Sequence, residues 1–281
     1  MQRISPTLLV LLAIVSIQLG AGSATFLFPY IGAEGTVALR ILLSAFLLAL
    51  ATRLSVQSLR QTFFQHWRLM VVFGACIAAM NLFFYMAIAR IPLAAVVAIE
   101  FIGPLSVAVF SSPNIKQLGW VCLAGLGIGL LSPFSGSDLN TPGVVLALMA
   151  GAGWAMFIII AARVGKKVEG NTGLVLGMSV AAIFMIPLVV PAVPELMKHP
   201  WLFLACLGVA LLSTALPFSF EFEALKRLSK RAYGVLVSIE PAVATVVGAV
   251  LLGERMGLQG IAAVGCIVIA AIGITVTTPA D

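Results

Sequence analysis

Charge is scarce in this 281-residue chain, at 9% of the residues. A water-soluble protein of this length needs far more polar surface to cover its core, so the soluble classes are excluded. Histidine occurs only twice, as His66 and His199, each in a break between apolar runs. The cysteines Cys76, Cys122, Cys206 and Cys266 lie far apart in apolar runs, with no Cys-x-x-Cys spacing. They read as small hydrophobes rather than as metal ligands or disulfide partners, and no metal or cofactor is expected. No polar stretch is long enough to hold a folded domain, so any chemistry must use residues inside the apolar runs.

Hydrophobic residues, at 62%, fill the space that charge leaves, and mean hydropathy is +1.16. These values point to an all-α integral membrane protein. Apolar runs near the roughly 20 residues that span hydrocarbon fall at about 6–28, 34–52, 69–89, 93–111, 118–134, 143–163, 172–191, 201–223, 232–252 and 258–277. Ten transmembrane helices are therefore expected. Arg3 and the small residues Ala21–Ala24 could suggest a cleaved secretory signal, but the first run is long for one and reads as a first spanning helix.

Net charge is +6. With the N-terminus inside, the inner connections hold Arg3, Arg53, Arg60, Arg68, Lys116, Arg163, Lys166, Lys167, Lys226, Arg227, Lys230 and Arg231, against Arg90, Lys198 and Arg255 outside. This bias places both termini in the cytoplasm. Aromatic residues do not interleave with the bases as on a nucleic-acid surface, so no nucleic-acid partner is expected. The connection from Arg53 to Arg68, with Phe63, Phe64 and Trp67, reads as a segment anchored at the lipid interface.

The two halves look related. Aligning Pro104 with Pro241 without gaps brings Ala87 onto Ala224, Arg90 onto Arg227 and Ala95 onto Ala232. Five helices separate equivalent positions, and an odd number inverts the second copy. Two inverted repeats, 1–136 and 137–281, are expected to form one membrane domain, an architecture of many secondary transporters.

Few polar residues interrupt the runs. Glu100 lies in Ala98-Ile-Glu100-Phe-Ile-Gly-Pro104, and Glu240 lies in Ser238-Ile-Glu240-Pro241. A carboxylate near the bilayer centre costs about 2.5–3.5 kcal/mol on insertion scales, so two of them suggest use. Counting the rise per residue puts Arg40, Asn81 and Glu100 in one band, with Gln18, Trp154 and Glu240 deeper. Asn81 and Tyr85 are four apart and share a helix face. If the set faces one cavity, it matches a zwitterionic amino acid. Arg40 would take the carboxylate, Glu100 the ammonium, and Gln18, Asn81 and Tyr85 polar atoms, with Trp154 as a wall. The duller readings are an Arg40–Glu100 pair, Asn81 as interhelical glue and aromatics as packing. Glu240, Pro241 and Pro104 are assigned to gating or proton coupling, since proline opens the helix four residues back.

The segments Ser16-Ile-Gln18-Leu-Gly20, Ala38-Leu-Arg40, Met80-Asn81-Leu-Phe-Phe-Tyr85, Ala98–Pro104, Gly151-Ala-Gly-Trp154, Ser213–Pro217, Ser238–Pro241 and Leu252-Gly253-Glu254 resemble the EamA-type amino-acid exporters of the drug/metabolite transporter superfamily. The resemblance implies ten helices in two inverted five-helix repeats and alternating access. It also implies export of small amino acids of the threonine or homoserine kind across the bacterial inner membrane, driven by protons or by the substrate gradient. Carried over with it are Gln18, Arg40, Asn81, Glu100, Trp154 and Glu240, while Glu254 is assigned to folding or loop geometry rather than solute contact. The rivals are an exporter of aromatic amino acids or of diverse drugs and metabolites, an intramembrane enzyme and a channel. Two glutamates against one arginine disfavour phosphate substrates. The runs lack the nucleophile and base that an enzyme needs.

Overall fold

A computed structural model describes residues 5–52, 55–111, 118–131, 140–168, 171–217, 220, 224, 233 and 236–277. Among these residues all regular structure is helical. In chain order the helices are α1 (Pro6–Thr25), α2 (Phe28–Thr52), α3 (Val56–Ile88), α4 (Leu93–Glu100), α5 (Ile102–Ser111) and α6 (Leu118–Leu131). They are followed by α7 (Thr141–Gly165), α8 (Thr172–Val189), α9 (Val193–Lys198), α10 (Trp201–Ala210), α11 (Glu240–Leu251) and α12 (Leu258–Thr277).

The helix starts follow from local chemistry. Ser5, Ser55 and Asn140 each accept a hydrogen bond from the backbone N–H three residues on, capping α1, α3 and α7. Pro6 and Pro142 occupy first-turn positions, where no N–H is needed.

Six apolar stretches are long enough to cross a membrane: Pro6–Thr25, Phe28–Thr52, Val56–Ile88, Thr141–Gly165, Thr172–Lys198 and Leu258–Thr277. Four shorter apolar helical stretches, Leu93–Val107, Gly119–Leu130, Trp201–Thr214 and Glu240–Leu251, fall in the remaining expected runs. Large hydrophobic side chains such as Phe46, Leu50, Val246, Val250 and Leu258 face outward along the bundle. That exterior suits hydrocarbon rather than water. All four cysteines are free thiols; Cys206 is buried, while Cys122 faces outward with the apolar exterior.

Two details differ from the sequence-based expectation. The connection before residue 69 is helical from Val56, and it joins the spanning part of α3 at a break at His66 (φ −128°, ψ 27°). Its aromatics are still exposed: Phe64 and Trp67 lie under Arg60 and Arg68, whose guanidinium carbons are 5.8 Å and 5.4 Å from the ring centroids. The run 93–111 is two helices rather than one, meeting at Phe101. Pro104 has no N–H to offer the Glu100 carbonyl, whereas the Leu105 N–H resumes the ladder by bonding Phe101 at 3.2 Å.

Packing places the short, broken helices at the centre. α4 packs on α7 and on α11, α1 on α11 and on the π-helical turn Leu211–Ala215, and α2 on α8 and α10. α3 packs on α7 and α8, and α6 on α12. α5 and α7 approach closely, so that a Cβ on Gly103 would collide with the Gly151 carbonyl. On the α7 side, a Cβ on Gly151 would lie 2.7 Å from the Glu100 carbonyl. Small residues here let the broken backbone of α4–α5 lie directly on α7.

Candidate functional site

The broken helices surround a cavity of about 390 Å³. Gln18, Arg40, Asn81, Tyr85, Glu100, Trp154 and Glu240 all line it. Seven polar or aromatic residues selected from six separate runs thus converge on one space. Pro104 and Pro241 are not among the lining residues; they stand next to it, where α5 and α11 begin.

Arg40 projects from α2 and is 7% exposed. One of its terminal N–H groups donates to the Asn81 side-chain oxygen, while the Asn81 amide donates to the Ile77 carbonyl at 2.8 Å. Asn81 is therefore fixed by its own helix and in turn orients the guanidinium. The Tyr85 ring lies beneath Arg40, 5.1 Å from its central carbon, and both residues belong to the same wall. The alternative of an Arg40–Glu100 pair is not realised, since no ion pair joins them within 4.0 Å.

Glu100 ends α4, and its carboxylate accepts no hydrogen bond from the described residues. Glu240 opens α11 and accepts a hydrogen bond at 3.0 Å from the Gln18 amide. Both carboxylates line the same cavity. The difference in depth implied by straight helices does not separate them, because each glutamate stands at a helix break. Trp154 closes one side, held edge-on against Phe101 with ring centroids 5.6 Å apart.

Three buried side-chain atoms among the described residues have no hydrogen-bond partner: Gln18 Oε1, Arg40 Nε and Tyr85 OH. All three belong to cavity residues. Buried polar groups are nearly always paired, so this concentration marks a place prepared for another polar molecule.

Ser213, Thr214, Pro217, Tyr233 and Met178 also line the cavity and were not selected from sequence as site residues. The signal for the first three was present in the hydroxyl pair followed by proline. The π-helical turn over Leu211–Ala215 widens the backbone there, so the Ser16 hydroxyl reaches the Leu212 carbonyl at 2.6 Å and Ser44 meets Thr214 at 3.0 Å. Tyr233 and Met178 carry no such signal in an apolar run.

Known proteins resemble the chain along nearly its whole length. A crystal structure 20% identical in sequence matches with a TM-score of 0.59, over 98% of this chain and 99% of that one, so the fold is shared. The Threonine/homoserine exporter RhtA of Escherichia coli K12 is 38% identical over 283 residues, covering 97% of this chain and 92% of the relative. Its Salmonella typhimurium LT2 counterpart of the same name is 39% identical, with the same coverage. The transporter YxxF of Bacillus subtilis is 26% identical over 52% of this chain and 47% of its own length. The model of the EamA-like transporter family matches residues 141–276. With relatives this similar along nearly its whole length, and a polar cavity enclosed by broken apolar helices, the chain belongs to the EamA-like transporter family.

Proposed function

We propose that the protein exports small amino acids of the threonine and homoserine kind across the bacterial inner membrane, by alternating access of the cavity. The observation that carries the reading is the charge arrangement inside it. One guanidinium oriented by Asn81 stands in the same cavity as Glu100, and the two do not neutralise each other. A zwitterion supplies both missing partners: a carboxylate for Arg40 and an ammonium for Glu100. Gln18 Oε1 and Tyr85 OH can take further polar atoms of the solute. Glu240, with Pro241 and Pro104 at the adjoining breaks, is assigned to gating or proton exchange, with protons as the coupling ion. The names of the RhtA relatives support the substrate class.

Ten transmembrane helices in two inverted five-helix repeats, 1–136 and 137–281, form the scaffold in this reading, with α4 and α5 making one span and both termini in the cytoplasm. Its support is the symmetry of the packed pairs. Exchanging the halves turns α1 against the 201–215 segment into α7 against α3, α1 against α11 into α7 against α4, and α2 against α10 into α8 against α3. The pairs α2–α8, α4–α11 and α6–α12 each map onto themselves. Basic residues concentrated in alternate connections support the orientation.

The test is transport by Glu100→Gln in proteoliposomes. A hydrogen bond to a charged group is worth about 1.5–3 kcal/mol, so threonine counterflow falls by about a hundredfold while helicity and elution profile stay normal. Near-normal transport removes Glu100 from the binding site. A second reading, export of a larger or aromatic amino acid, is favoured by one observation: Phe84, Tyr85, Trp154 and Phe157 all line the cavity. Competition by phenylalanine stronger than by threonine would establish it.

A further inference from the structure

α4 and α11 pack against each other, and each carries a cavity glutamate at one end: Glu100 closes α4 and Glu240 opens α11. Because both glutamates line one cavity, one at the end of its helix and the other at the start, the pair is antiparallel. Its opposite end brings the start of α4 beside the turn that follows α11. There the Glu254 carboxylate accepts the Leu93 N–H with both oxygens, at 2.9 Å and 3.1 Å, across 161 positions of sequence.

Three features show that this contact is built. α4 begins after Pro92, which gives it no side-chain cap, so its first N–H groups have no local acceptor. Gly253 takes φ +65°, a left-handed conformation that turns the chain back after α11, and the Glu254 N–H then bonds the Gly248 carbonyl at 3.0 Å. Gly248 leaves the path open, for a Cβ there would collide with the Glu254 carboxylate. Gly248, Gly253 and Glu254 thus act together to deliver one carboxylate to the uncapped start of another helix, where negative charge is favoured.

We propose that Glu254 is a positioning residue for transport: it ties the start of α4 to the end of α11 and thereby holds Glu100 opposite the rest of the cavity. α4 has eight residues, so its start lies only two turns from Glu100. Its far end is already interrupted at Phe101. A helix this short has little stability of its own, and its placement depends on what holds each end. The inference rests on the assignment of Glu100 to the binding site; the tie itself does not.

Two measurements on Glu254→Ala, which removes both acceptor oxygens, separate these. Amide hydrogen exchange of the full-length protein in nanodiscs, without substrate, reads the tie. Faster exchange is expected along α4 through Glu100, whereas loss of a merely local cap would quicken only Leu93 to Val96. Threonine exchange in proteoliposomes reads the consequence. KM is expected to rise about tenfold, the effect of losing a helix cap of about 1.4 kcal/mol, with kcat within about twofold. Gly248→Ala, which pushes the carboxylate aside, should reproduce both changes. Adding Pro92→Asp to Glu254→Ala gives α4 a cap of its own. It should recover thermal stability and leave KM raised, because the link to α11 stays broken. Exchange confined to the first turn, an unchanged KM, or recovery of KM by Pro92→Asp would each overturn the proposal. If wild type exchanges no amino acid, the functional reading fails, while hydrogen exchange still decides whether Glu254 holds α4 in place.

Discussion

Glu100 and Glu254 belong to the two ends of one short helix, and they have opposite surroundings. At the start of α4, Glu254 meets a backbone N–H with both oxygens and lies in a turn shaped by two glycines. At the end of α4, Glu100 faces a cavity and accepts nothing from the described residues. Burial alone would treat the two alike. Their partners distinguish them: a carboxylate satisfied by backbone holds structure, and one left unsatisfied in the same cavity as an oriented guanidinium is available to a solute.

This contrast can be broken from either side. The largest further effect is expected in the cavity, where Arg40→Lys keeps the charge but loses the planar fork that Asn81 orients. KM for threonine should rise about tenfold or more, and an unchanged value would mean that no bidentate carboxylate contact exists. A purely structural change at the same break should behave differently. Gly103→Ala forces a Cβ into the Gly151 carbonyl. It should cost about 1–3 kcal/mol of stability, seen as a lower unfolding temperature. Loss of transport without loss of stability would show that this contact is part of the moving machinery instead.

The smallest effect is a pH dependence at the other end of α4. Burial pushes the Glu254 carboxyl above its ordinary range, and the Leu93 and Ala94 N–H groups pull it back without cancelling the rise. The folded protein therefore holds this proton more tightly than the unfolded chain does. Its contribution to stability is fully present below the unfolded value of about 4.3 and is lost as pH rises through the raised folded value. Relative to Glu254→Gln, wild type should gain unfolding temperature as pH falls from neutral. A flat difference between the two proteins would show that the carboxyl is not buried in this way.

Much of the site was legible because polar residues are costly in apolar runs. Gln18, Arg40, Asn81, Tyr85, Glu100, Trp154 and Glu240 stood out one by one, and all reach the cavity. The hydrogen bonds among them were not legible. That Asn81 serves Arg40, and Gln18 serves Glu240, depends on how helices far apart in sequence rotate against each other. Pro104 and Pro217 announced disruption without giving its form, which became a break at Phe101 in one case and a π-helical turn at Leu211–Ala215 in the other. The helical segment before His66 was expected as an interfacial connection because its aromatics and arginines were visible, while its amphipathic winding was not. The sequence points Glu254 to folding or loop geometry without naming its partner. Its bond to Leu93 across 161 positions became visible only once the two helices were packed.

The central claim is that the cavity recognises the two charges of an amino acid together. Counterflow of labelled threonine in proteoliposomes, with competitors lacking one charge each, tests it most directly. Threonine and homoserine should compete, while N-acetylthreonine, without the ammonium, and threonine methyl ester, without the carboxylate, should not. Competition by either derivative as strong as by threonine itself would contradict the account.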